Sequence, residues 1–173
     1  MGYSTMKKDH SHFVGPIGGL GGKAANNLAK ETDLAICIGT KLADFTTGSW
    51  ANFENPEFKL VSINIARHDA NKHLAEAVIG DAKVTLTELS NAIGDWKSSD
   101  SWHKKSQVEL KSWNEYVDKE SGPTNQELPS YAHAVGAIYR NSDPTDIAVT
   151  AAGGLVGEVV QVWRPKELNT HET

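Results

Sequence analysis

Seven residues, Asp44-Phe45-Thr46-Thr47-Gly48-Ser49-Trp50, gather a carboxylate, three hydroxyls, a glycine and two aromatic rings. Placed after a buried parallel strand, such a set could hold a polar ligand at the carboxyl edge of a sheet. It could equally cap that edge, with Phe45 and Trp50 as lids over the core. A second candidate, Gly19-Leu20-Gly21-Gly22-Lys23-Ala24, has the G-x-G-x-x-A spacing that lays a pyrophosphate on the backbone amides of a helix N-terminus. That chemistry needs a strand before the loop and an acidic residue ending the next strand. Ser11–Pro16 is too short and interrupted to be a strand, and Leu34-Ala35-Ile36-Cys37-Ile38 ends in Gly39-Thr40. A structural loop packing a helix close to a sheet is the stronger reading, with a stand-alone NAD or FAD module as the alternative.

Other groups are weaker. His68-Asp69 with His73, and Asp9-His10-Ser11-His12, invite a metal reading but lack the spacing of convergent ligands. Gly80-Asp81-Ala82 and Gly94-Asp95-Trp96 each supply two thirds of a Gly-Asp-Gly magnesium signature, with Asn114 and Asn125 downstream as possible oxygen ligands. Neither pair follows a strand that enters a loop and helix in the way that signature requires, and Asp81 is better placed as a helix cap. Neither a Gly-x-Ser-x-Gly elbow nor a Cys–His arrangement is present. Cys37 sits inside an apolar run and reads as a small core residue.

The elements that must position these residues alternate. Ala24, Ala25, Leu28 and Ala29 recur at helical spacing behind the glycine loop. Leu34–Ile38 reads as a strand buried on both faces, and Leu60–Ile65 as a second. The loop of roughly twenty residues between them is long enough to have a functional or packing role. Ala77-Val78-Ile79 is a shorter strand, followed by a helix that Asp81 caps and Gly94 ends. Strands alternating with helices predict an α/β fold, a parallel Rossmann-like sheet covered on both faces. Asp95–Lys119 is polar and Trp-rich, a linker helix with Trp102, Leu110, Trp113 and Val117 in register. Pro129-Ser130 opens a further helix, and Asp146–Ala151 is a strand running into Ala152-Gly153-Gly154-Leu155, the first βα unit of a second α/β domain.

Composition bounds the rest. The chain has 173 residues, 39% hydrophobic and 23% charged, with a formal charge of −5 and a mean hydropathy of −0.43. That is enough for one good core and too apolar for disorder. With 22 acidic against 17 basic residues, nucleic acid is a poor partner, because phosphate binding needs clustered Lys and Arg. No apolar run approaches a membrane helix, and the start, with Lys7-Lys8 but no apolar stretch behind it, does not read as a signal peptide. A cytoplasmic protein is expected.

Several segments together resemble a known family. They are Gly15-Pro16-Ile17-Gly18, Ala24-Ala25-Asn26, the run Ile38–Trp50, Ile63-Asn64-Ile65 with Asp69–His73, Gly80-Asp81-Ala82, Ala151–Glu158 and Trp163-Arg164. The sequence is similar in these places to the trihydroxycyclohexanedione hydrolases, thiamine-diphosphate-dependent ring-opening enzymes of myo-inositol catabolism. Asp44–Trp50 is the most specific part. The resemblance implies a central domain over residues 1–94, a linker over 95–128 and the start of a diphosphate-binding domain over 129–173.

It implies thiamine diphosphate and Mg²⁺ as the family's cofactors, a cyclic diketone as substrate, 5-deoxyglucuronate as product and a homo-oligomer as the full enzyme. Family members use a Glu from an upstream pyrimidine domain and a Gly-Asp-Gly…Asn magnesium loop, and neither is matched here. The chain is therefore expected to be a fragment that begins inside the central domain and does not turn over substrate alone. Gly153, Gly154 and Leu155 are the only residues carried over as cofactor contacts, through backbone amides. No catalytic residue and no metal ligand is carried over. A non-catalytic scaffold is the remaining alternative.

Overall fold

The computed structural model of the protein describes residues 6–172; Met1–Thr5 of the expected start, and Thr173, lie outside the described residues. Helix α1 (Lys23–Glu31) precedes strand β1 (Leu34–Ile38), a short helix α2 (Asp44–Thr47) and strand β2 (Lys59–Asn64). Helix α3 (Arg67–Ala70), strand β3 (Glu76–Ile79) and helix α4 (Ala82–Ile93) complete the first unit. The three strands form a parallel sheet in the order β1-β2-β3, with Leu34 opposite Lys59 and Val61 opposite Glu76. The α/β, Rossmann-like reading therefore holds.

The expectation of a sheet covered on both faces does not. Leu34, Ile36 and Ile38, which share one face of β1, are 42 to 44% exposed, because no element among the described residues covers that face. Alternation of exposed and half-buried residues along β1 is the pattern of a strand covered on one side. Burial is instead concentrated on α1, where Ala24, Ala25, Leu28 and Ala29 are all buried, and on β2, where Ile63 is 2% exposed. The small side chains of α1 let it lie close, as their spacing required. Helix α4 starts as expected, the amide of Val84 donating to Asp81 Oδ1 at 3.0 Å, and ends at Gly94, yet it buries no residue. Its apolar side chains Val84, Leu86 and Ile93 stay exposed.

Helix α5 (Asp100–Glu120) starts at Ser99, whose hydroxyl accepts from the Trp102 amide at 3.2 Å, and packs along α1. Its far end enters a second core, in which Val117 joins Val135, Val159, Val162 and Trp163, with Trp113 and Tyr139 against them. Val135 belongs to helix α6 (Tyr131–Asn141), opened by a reciprocal cap between Ser130 and His133. Strand β4 (Ala148–Val149), shorter than the expected Asp146–Ala151, leads through helix α7 (Gly154–Val162) to strand β5 (His171–Glu172). β4 and β5 pair in parallel, Ala148 opposite His171, so α7 is a crossover helix.

Candidate functional site

The two stretches richest in chemical groups, Gly15–Gly22 and Thr40–Trp50, are built into each other. Gly18 has a φ of +98°, and a methyl added there would lie 2.0 Å from the Phe45 carbonyl oxygen. The Gly19 amide donates to that same oxygen at 2.7 Å. Asn26, one turn into α1, accepts from the Gly18 amide at 2.8 Å and donates back to the Gly18 carbonyl at 3.0 Å. Its oxygen also accepts from Asn52 Nδ2 at 3.0 Å. Three elements thus share one amide side chain. Gly22 closes the loop beneath α5, where an added methyl would fall 2.8 Å from Trp113 Nε1. At Gly18, Gly21 and Gly22 the loop's backbone packs against protein.

Thr47 and Trp50 of the second stretch are also engaged. Thr47 is 2% exposed, its hydroxyl donating to the Ala43 carbonyl at 3.3 Å and accepting from the Trp50 amide at 3.1 Å. Trp50 stacks on His73 at 4.1 Å with 20° between rings, and packs on Phe53 at 5.0 Å. His73 Nε2 lies 3.1 Å from the Leu42 carbonyl, and Lys72 donates to the Lys41 carbonyl at 3.2 Å. Asn64, at the end of β2, donates to the Thr40 carbonyl at 3.0 Å and accepts from the Ala66 amide at 2.9 Å. Trp50 behaves as a cap. Phe45 does not: it is 75% exposed, because its backbone carbonyl is what the Gly18 loop grips while the ring projects outward.

The loop after β4 is the opposite case. Gly153, at φ +139°, and Gly154 both face open space, with no atom within 4 Å of an added methyl. Gly153 stands at the helix cap without a side-chain bond to the first turn of α7, and Leu155 is 46% exposed. The first amides of a helix have no intrahelical acceptor, and the helix dipole favours negative charge there. Beside them, Thr150 Oγ1 is buried without a hydrogen-bond partner among the described residues. Sequence reasoning passed over Thr150, although a hydroxyl ending a strand just before two glycines is a recognisable signal. The position of α7 is fixed from behind, through Val159 and Val162 in the second core and through Arg164, which donates to Asn114 Oδ1 at 3.3 Å and pairs with Asp118.

The remaining candidates separate. Asp81 caps α4 and Asn114 is held by Arg164, so neither is brought to the other. His12 lies between His10, at 5.6 Å, and His103, at 4.7 Å between ring centroids. Among the described residues no group of three His, Cys, Asp or Glu is placed to hold a metal ion. Asp69 is held below the usual carboxylate range by its hydrogen bond from Lys72, and burial pushes the Cys37 thiol up. No helix among the described residues is long and apolar enough to cross a membrane.

The parallel three-stranded sheet flanked by helices agrees with the α/β fold that the sequence resemblance implies. Residues 1–89 match the family model described as "Thiamine pyrophosphate enzyme, central domain", and the chain belongs to that family. It is similar along 98% of its length to a 3D-(3,5/4)-trihydroxycyclohexane-1,2-dione hydrolase of Bacillus anthracis, at 33% identity. A protein of the same name from Clostridium perfringens is 31% identical over 94% of the chain, and a Bacillus cereus relative named hydrolase 1 is 34% identical over 98%. The chain spans only about 30% of the length of these relatives.

Proposed function

We propose that these residues are part of a trihydroxycyclohexane-1,2-dione hydrolase, in which Gly153, Gly154 and Leu155 contact the diphosphate of thiamine diphosphate. The supporting observation is the open glycine turn at the N-terminus of α7. These groups fit a diphosphate: Gly153 and Gly154 leave room for oxygen atoms to reach the backbone, and the amides of the first turn point outward to donate. When bound, thiamine diphosphate supplies the electron sink that carbon–carbon cleavage of a cyclic diketone requires. The chain's own part is to bind and orient the charged end, with Val159, Val160 and Val162 keeping α7 in place.

In this reading residues 1–94 are the central domain, 95–128 the linker and 129–173 the opening of the diphosphate-binding domain. The sequence contains no Gly-Asp-Gly to present Mg²⁺ to the diphosphate. The chain alone is therefore expected to bind the cofactor weakly and to leave the diketone unopened. Calorimetric titration with thiamine diphosphate and Mg²⁺ tests this: weak saturable binding, diminished by Gly154→Leu, is the expected result. Binding of NAD or FAD in its place, or chelator-sensitive turnover of the diketone by the purified chain, contradicts it.

A further inference from the structure

The segment before α1, helix α5 and helix α7 enclose a cavity of about 160 Å³. Roughly five waters would fill it, so it is too small for a nucleotide or for thiamine diphosphate. Arg164, just past the end of α7, lines this cavity, and its two terminal nitrogens are held on α5 by Asn114 Oδ1 and by Asp118. Its side chain is only 20% exposed, and Nε is buried without a hydrogen-bond partner among the described residues. A buried cationic N–H left unpaired is costly, and in a cavity wall it calls for an acceptor that the protein itself does not supply.

The polar groups around Arg164 are donors as well. Lys8 Nζ gives one N–H to the Tyr139 hydroxyl, at 2.7 Å, and keeps two. The Trp113 indole N–H has no partner among the described residues, and neither has the NH₂ of Asn114, whose oxygen accepts from Arg164. Against these donors the lining holds one carboxylate, Asp9, which is exposed. Val14, Leu110 and Val160 make much of the remaining wall apolar. An acceptor-only, negatively charged group matches the donors, and an apolar body matches the wall. We propose that this cavity binds a small organic carboxylate with an apolar body, its oxygens taken by Arg164 Nε and Lys8. The cavity shares no residue with Thr150–Leu155, so this inference and the cofactor reading stand or fall separately.

The Arg164 Nε–H resonance, followed while sodium butyrate is added to the full chain at constant ionic strength, is the test. Butyramide is the uncharged control, and inorganic phosphate the anion without an apolar body. A saturable shift with butyrate is expected, absent with butyramide and about tenfold weaker with phosphate. Lys8→Gln, at a half-buried position outside any helix or strand, should weaken butyrate binding about tenfold and leave the unfolding midpoint near the parent's. Trp113→Phe, which keeps a ring in place and removes its N–H, should weaken binding less. No saturable shift with butyrate overturns the proposal, as does an equal response to butyramide. Phosphate binding as tightly as butyrate also overturns it, and so does undiminished binding in both variants.

Discussion

Gly18 and Gly153 both hold positive φ, at +98° and +139°, but the first faces the Phe45 carbonyl and the second faces nothing. Around Gly18, Asn26 makes three hydrogen bonds and Thr47 two. Around Gly153, the helix amides lack a capping side chain and Thr150 has no partner among the described residues. A glycine turn closed by its own fold has served its purpose within the protein. One held rigidly from behind and left open in front still has amides to offer a ligand. The residues richest in chemical groups are thus the architectural ones, and the sparser loop is the binding candidate.

The largest effect should come from exchanging glycine for alanine at each turn. Gly18→Ala combines a left-handed backbone with a steric clash against backbone atoms, and should lower stability by about 3 kcal/mol or more, read from the urea midpoint. Gly154→Ala, in open space at the start of a helix, should be neutral or stabilise by up to about 1 kcal/mol. Equal losses at the two sites would break the comparison. Asn26→Ala should cost about 2 kcal/mol, because it strands the Gly18 amide and the Asn52 side chain together. A value near zero would mean that water replaces the amide and the glycine loop is less closed than described.

The smallest effect sharpens the picture of the first unit. Burial raises the Cys37 thiol above its ordinary value, so less thiolate is present at a given pH than in the unfolded chain. Alkylation at mildly alkaline pH should therefore be slower in the native protein than in urea. A native rate matching the unfolded one would place Cys37 in contact with water, on the open side of β1.

Much of this arrangement can be read from residue order. The cap at Asp81, the stop at Gly94 and the small-residue face of α1 follow from local chemistry, and all appear at the expected places. Coverage of β1 could not be read, since an apolar run looks alike whether one face of its strand is covered or both. The Asn26–Asn52 bond was equally hidden, because it joins positions 26 residues apart through a turn whose shape depends on Gly18. Thr150 was overlooked for a related reason: a hydroxyl at a strand end becomes informative only when burial is seen to leave it unpaired.

Amide resonances of the whole chain, mapped during a titration with thiamine diphosphate and Mg²⁺, test the central claim most directly. The account predicts perturbation concentrated at Thr150–Leu155 and the first turn of α7, with the Gly15–Gly22 and Thr40–Trp50 amides unmoved. Perturbation centred on Gly18–Asn26, with Gly153 and Gly154 silent, would contradict it.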